Sequence, residues 1–349
     1  MKICYFGFYN PQYIRDRVIL EGLRRNGIEI IECREEAPGF RGLLNLFLKY
    51  RKLSSYDLMI VGSSDRSRSA LILAKFLTKK KILWDAFYSL YDTMVNDRKL
   101  ARPFGLKALY YWTLDWLGCL LADKILLDTN EHIKYFSQTF RTNEEKFIRI
   151  FVGADDRLFF PRNEKRNDKD FLVHFHGKYI PLQGIQHILK AAKILEKEKD
   201  IRFRLVGKGQ TYDSMRRLGR ELGLTNVEFV DRVPYEKIPD LIAEADVSLG
   251  IFGDTEKAAR VIPNKIYEAM AMGKPIITAD TPGIRELFTD RKNVLLCKVA
   301  DPEDLAGKIL ELKNDKELRI MIGEEVFKLF AEAGKPEIVI KELLPFLKI

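Results

Sequence analysis

Residues 252–288 read FGDTEKAARVIPNKIYEAMAMGKPIITADTPGIRELF, and their punctuation is that of an α/β unit. After Pro263 the stretch Lys265 to Met272 suits a short helix, and Gly273 supplies its stop. Gly273-Lys274-Pro275 turns the chain into Ile276-Ile277-Thr278, a short apolar run that reads as a buried strand. Thr281-Pro282-Gly283 turns it again into helix. A helix that starts directly after a loop presents unpaired N–H groups and a positive dipole end, which suits phosphate. Lys257, Arg260 and Lys265 bring positive charge to that end, and Glu268, one turn in, is a carboxylate suited to paired sugar hydroxyls.

The run from Pro263 to Ile277 resembles the donor-binding signature of family 4 glycosyltransferases (glycosyl transferases group 1), which have the two-domain GT-B fold. In that family a Glu-x7-Glu motif ends in the Glu before Ala-Met-Ala. The matching position is Glu268, which the resemblance implies would hold the nucleotide ribose. Where the family has its first Glu, against the donor sugar, this chain has Arg260. Ile262, Pro263 and Asn264, which lead into the helix, are placed with the donor by the same resemblance.

At 349 residues the chain exceeds what one hydrophobic core usually holds, so two domains are expected. A hydrophobic content of 46% with 31% charged residues describes a globular protein and excludes a disordered one. Cys4, Cys33, Cys119 and Cys297 lie far apart without metal or redox spacing, which points to a reducing cytoplasm. The start, Met1-Lys2-Ile3-Cys4-Tyr5-Phe6-Gly7, reads as a strand and not as a signal peptide. The net charge of +9 sits mostly in residues 1–165, with 28 Lys and Arg against 20 Asp and Glu. An anionic partner is therefore expected there: a membrane surface or an anionic acceptor. No recognition motif or basic-aromatic platform supports nucleic acid.

Lys2–Phe8, a helix to Arg25 and Ile28–Cys33 form a strand–loop–helix–strand opening of Rossmann type. Gly7 stands alone where a dinucleotide fingerprint needs three glycines; it serves either a diphosphate approaching the backbone or an ordinary turn. Residues 41–52, RGLLNLFLKYRK, place Leu43, Leu44, Phe47 and Leu48 on one face beside Arg41, Lys49, Arg51 and Lys52. Such a helix lies on an anionic bilayer or packs on the sheet. Asp85 ends a strand, where open α/β sheets place ligand contacts, and it and Asp92 are the carboxylate candidates of the first half. The family often has a His or Asp hereabouts facing the acceptor; capping of the next helix is the structural alternative. Residues 104–121, FGLKALYYWTLDWLGCLL, suit a core or interfacial helix better than a span, because Lys107 and Asp115 interrupt them.

Arg162–Asp170 is the expected linker. Beyond it comes a strand with His174 and His176 on one face, then Gly177-Lys178-Tyr179-Ile180-Pro181-Leu182-Gln183-Gly184. This loop resembles the family's phosphate-binding loop, with Lys178 at its first basic position and Gln183 where a Lys is expected. Lys257 and Arg260 are expected to restore the missing charge. The two histidines lack a third ligand, so no metal is expected, and His176 is the one placed to touch the donor. Gly207 follows the next strand, and Arg232-Val233-Pro234-Tyr235 lies near the nucleobase by resemblance, with Val233 as the contact.

The fold expected is thus GT-B: an acceptor-side Rossmann-like domain over 1–165, a nucleotide-sugar domain over 166–333, and a helix over 334–349 returning to the first. Their parallel sheets would face an interdomain cleft. The activity expected is sugar transfer, with retention, from a nucleotide-sugar to a glycan or lipid-linked acceptor, without metal or other cofactor. Asp85, Lys178, Arg260 and Glu268 are the catalytic candidates. The place expected is the cytoplasm, peripheral at the inner face of the membrane. A catalytically silent GT-B protein that binds nucleotide, and a GT-B sugar-nucleotide epimerase, are the alternatives.

Overall fold

A computed structural model describes residues 1–162 and 170–347. The chain divides into two units, Met1–Gly153 with Lys335–Ile349, and Ala154–Gly334. The expected linker falls, but for Arg162 and Asp170, outside the described residues, as does the boundary drawn at 165/166.

The first unit alternates β1 (Lys2–Gly7), α1 (Ile14–Arg25), β2 (Glu29–Arg34), α2 (Gly39–Tyr50), β3 (Leu58–Val61) and α3 (Ser67–Leu77). It continues through β4 (Ile82–Asp85), α4 (Leu106–Leu121), β5 (Lys124–Leu127), α5 (Asn130–Phe140) and β6 (Phe147–Arg149). The strands form one parallel sheet in the order β2-β1-β3-β4-β5-β6. Strands covered on both faces read as nearly continuous apolar runs. β3, LMIV, and β4, ILWD, are buried at every position, whereas the edge strand β2, EIIECR, is only partly so. Leu46 of α2, Leu71 of α3, Cys119 of α4 and Phe136 of α5 pack with Phe6, Val61, Trp84 and Leu127 in one core, so these four helices cover the same face of the sheet.

α2 turns a different side inward from the one expected. Gly42 and Leu46 are buried, Leu43 and Tyr50 half so, and Leu44 and Leu48 face solvent. The cause is Gly42: a Cβ there would lie 2.1 Å from the Ala37 carbonyl oxygen, so the glycine lets the chain fold closely back and sets the helix rotation.

The second unit runs β7 (Phe171–His176), α6 (Ile185–Ile194), β8 (Ile201–Val206), α7 (Tyr212–Glu221), β9 (Val227–Val230) and α8 (Ile238–Ala243). It continues through β10 (Val247–Leu249), α9 (Asn264–Ala271), β11 (Ile276–Ala279), α10 (Pro282–Arg285), β12 (Leu295–Cys297), α11 (Pro302–Asn314) and α12 (Lys316–Ala333). Its sheet is also parallel, in the order β12-β11-β10-β7-β8-β9. Gly273, at φ 64°, ends α9 one residue past Met272. The Asp301 carboxylate caps α11 by accepting from the amides of Glu303 and Asp304. The last segment is α13 (Pro336–Val339), a 3-10 turn (Ile340–Glu342) and α14 (Leu344–Leu347), and not the single helix expected from Pro336 onward. α13 lies on α1 of its own unit, where Arg25 pairs with Glu337 at 2.7 Å.

Candidate functional site

In the second unit the chain steps from β7 to β8 and β9, then returns to β10 and steps the other way through β11 and β12. The order reverses between β7 and β10, and parallel sheets bind ligands outside the strand ends at such a point. The residues leaving β7 there are Gly177 and Lys178. Gly177 and Gly207 have φ of 150° and 133°, and a Cβ on Gly207 would stand 2.0 Å from the Gly177 carbonyl oxygen. The two loops after β7 and β8 therefore stack backbone on backbone, with room for glycine alone at Gly207.

α9 brings Glu268 to this point. Both carboxylate oxygens are occupied: His176 Nε2–H donates to Oε2 at 2.5 Å and the Tyr235 hydroxyl donates to Oε1 at 2.8 Å. His174 Nε2 lies 3.1 Å from His176 Nδ1, and the buried His174 Nδ1 has no partner among the described residues. The tautomers that leave no N–H unpaired have His174 donating to His176 and His176 donating to Glu268. A hydrogen-bonded row thus runs from the core of β7 to a carboxylate fixed in orientation. Glu268 is only 3% exposed, so a diol reaching Oε1 displaces Tyr235 or shares the oxygen with it.

Lys265, in the first turn of α9, is buried, donates to Gln183 Oε1 and lies 3.8 Å from the centroid of the Phe175 ring. Burial pulls its pKa well below the ordinary lysine value, and the Glu268 charge opposes this. Gln183, where a Lys is expected, thus accepts from a lysine supplied by α9.

Burial, and next the neighbouring His176, hold His174 well below its ordinary value of 6.5. The folded state keeps this imidazole neutral while the unfolded chain binds a proton below that value. Its share of stability is present above pH 6.5 and is lost as pH falls, by about 1.4 kcal/mol per pH unit at the steepest. Urea midpoints between pH 7.5 and 5.5 are expected to drop more in wild type than in His174→Asn; parallel profiles would refute this.

Of the other expected donor residues, Lys178 is exposed at the loop start, and Val233 is half-buried in the loop that carries Tyr235. Ile262, Pro263 and Asn264 lead into α9, with Ile262 buried. Lys257 is 8% exposed and Arg260 lies in the turn Ala258–Arg260, its guanidinium 3.6 Å from Glu256. His176, Gly177, Lys265 and Glu268 are brought together directly. Tyr235 and His174 were the members missed: an aromatic residue ending the loop after β9, and a strand partner two residues before His176.

Gly7 and Asp85 belong to the first unit. Gly7, at φ 127°, lets α3 come close, since a Cβ would meet that of Ala70 at 3.3 Å. Asp85 is not open to an acceptor: it is fully buried, and Arg15 grips it through Nε at 3.1 Å and Nη2 at 3.0 Å. Asp92 is buried at the start of a π-helical turn, Asp92–Asp97, and accepts from Asn96. Among the described residues no cluster of three or more His, Cys, Asp or Glu could hold a metal. An Asp-x-Asp pair, Asp168 and Asp170, does occur, with Asp168 outside the described residues.

Two parallel sheets of six strands with flanking helices make the GT-B fold. Anabaena HepE, solved in complex with UDP and glucose, superposes with a TM-score of 0.74 over 99% of both chains, at 17% identity, a likeness of fold. Residues 156–329, within the second unit, match the family model described as "Glycosyl transferases group 1". An uncharacterized glycosyltransferase of Methanocaldococcus jannaschii is 28% identical over 203 residues, 58% of this chain and 53% of its own length. The D-inositol 3-phosphate glycosyltransferase of Corynebacterium glutamicum is 24% identical over 222 residues, 58% of this chain and 52% of its own length. The match therefore spans about half the length of these relatives.

Proposed function

We propose that the protein is a retaining glycosyltransferase of family 4 that moves a hexosyl group from a nucleotide-sugar to a glycan or lipid-linked acceptor. The observation that carries this is Glu268: a carboxylate oriented by His176 at the switch point of the second sheet, inside the segment that matches the group 1 family. It accepts the ribose hydroxyls. The diphosphate lies against the Gly177 and Gly207 loops and the start of α9, where Lys178, Lys257 and Arg260 stabilise the charge that develops on the leaving group. No metal is required for that step. The acceptor attacks from the face the diphosphate leaves, so the anomeric configuration is kept and no protein nucleophile is needed. The complexes of HepE with UDP and with UDP-glucose favour a uridine donor.

The first unit holds the acceptor, and its basic charge suits a peripheral enzyme of surface-glycan assembly at the cytoplasmic face of a membrane. Among the described residues no helix is long and apolar enough to cross one.

The test is a thermal-shift panel of UDP, GDP, ADP and CMP with their sugar derivatives. A ligand at a hundred times its dissociation constant stabilises the folded state by about 2.7 kcal/mol. A rise in Tm with one uridine nucleotide is expected; no rise with any nucleotide overturns the donor site. Arg260 in place of the family's Glu favours a second reading, a silent GT-B protein. Slow hydrolysis of the sugar-nucleotide, lost in Glu268→Ala, would exclude it.

A further inference from the structure

Three of the helices over one face of the first sheet, α2, α3 and α4, also expose large apolar side chains on their outer sides. In α4 the inner side is Ala108, Asp115, Gly118 and Cys119. On the outer side Leu106 is 88% exposed, Leu109 60%, Tyr110 59% and Leu120 59%, with Trp116 between them. At 100° per residue these positions fall on one face of the 16-residue helix, in a stripe about 21 Å long interrupted at Thr113. Phe104, just before α4, is fully exposed. α3, which packs against both α2 and α4, exposes Phe76, and α2 exposes Phe40, Leu44 and Leu48.

The charge around this apolar surface is mostly positive, with Glu35, paired to Lys49 at 2.9 Å, and Asp123 at its edges. Residues 39–52, 75–81 and 98–112 contain twelve Lys and Arg and no Asp or Glu. Arg41, Arg51, Lys52, Lys75, Lys79–Lys81, Lys99, Arg102 and Lys107 are exposed among them. Large apolar side chains that stand out singly from helices, set mainly among cations, fit a deformable anionic layer. A second copy of the chain would bring these cations against their own kind.

We propose that the outer side of α2, α3 and α4 is a docking face for an anionic lipid bilayer, with α4 lying in the plane of the surface. Leu106, Leu109, Tyr110 and Leu120 enter the acyl boundary, Trp116 sits at headgroup level, and the surrounding Lys and Arg meet lipid phosphates. This face deepens the membrane part of the function proposed above and does not rest on sugar transfer.

The test is co-sedimentation of the full chain with phosphatidylcholine vesicles, with and without phosphatidylglycerol, alongside Leu106→Ser/Leu109→Ser, Lys99→Glu/Lys107→Glu and a control, Ile320→Ser, exposed on α12 of the second unit. Binding is expected only with the anionic lipid, to fall with added salt, to drop about tenfold or more in either double variant, and to be unchanged in the control. Anionic-vesicle binding equal in wild type and the double variants overturns the proposal. So does absent binding, or a dimer in light scattering that Leu106→Ser/Leu109→Ser dissolves, which would make the face an interface between copies. The Tm of each variant, with and without UDP, separates lost docking from lost folding. A chain that docks but binds no nucleotide keeps this proposal and sinks the donor site; one that binds nucleotide and ignores vesicles does the reverse.

Discussion

Glu268→Ala is expected to weaken nucleoside diphosphate binding by a hundredfold or more while the protein still folds. A carboxylate that accepts two hydroxyl hydrogen bonds makes two charge-assisted contacts, worth about 1.5–3 kcal/mol each, and every 1.4 kcal/mol is roughly tenfold in affinity. The variant also leaves the His176 N–H without its acceptor, which costs about 1–3 kcal/mol of stability. Tyr235 costs less, since it is partly exposed and its hydroxyl can turn to water. Glu268→Gln serves as the isosteric check, because it keeps an oxygen for His176 while losing the charge and turning the second acceptor into an NH2 donor. Tyr235→Phe should act in the opposite direction. It removes the hydroxyl that occupies Oε1 at 2.8 Å, so nucleotide binds as tightly as in wild type or up to about tenfold more tightly. Calorimetric titration of the three variants settles both signs. Unchanged affinity in Glu268→Ala would remove the carboxylate from the donor site altogether.

What could be read from the sequence follows from what sequence periodicity encodes. Runs such as Leu58–Val61 and Ile276–Ala279 announce buried parallel strands because both faces of such a strand are covered, and glycines after strands mark where loops approach closely. The position of Glu268 one turn into a helix is equally local. The row from His174 to Tyr235 is not: its members come from β7, the loop after β9 and α9, and only the folded sheet brings them together. The side of α2 turned inward escaped for a different reason. Its apolar residues surround most of the helix, so periodicity alone leaves the rotation open, and a backbone approach at Gly42 decides it. Pairing of Lys265 with Gln183 likewise depends on a contact 82 residues apart along the chain.

Arg15→Met is the substitution expected to cost most in stability, and it bears on what Asp85 does. Both side chains are fully excluded from solvent, and Arg15 also donates through Nη1 to the carbonyls of Ile150 and Phe151. Removing one partner of a buried pair leaves the other charge without compensation, at about 3–5 kcal/mol. A unit of this size loses about 2–4 °C in Tm per kcal/mol, so a drop of roughly 10 °C is expected. Arg15→Met/Asp85→Leu should recover part of it, because neither charge then remains buried. The dependence on pH has a definite sign. Burial already raises the Asp85 carboxyl above its ordinary value of 3.8, and Arg15 pulls against that rise. Without Arg15 only the upward push is left. A group raised in the folded state favours folding at low pH and loses that contribution as pH climbs through its folded value. The deficit of Arg15→Met relative to wild type should therefore be largest at neutral pH and shrink toward pH 4. A constant deficit would mean that Asp85 finds another partner. If Asp85 instead met the acceptor directly, Asp85→Asn would lower the transfer rate with Tm almost unchanged. The closed pair requires the reverse: a large fall in Tm, and nucleotide binding by the second unit close to wild type at low temperature.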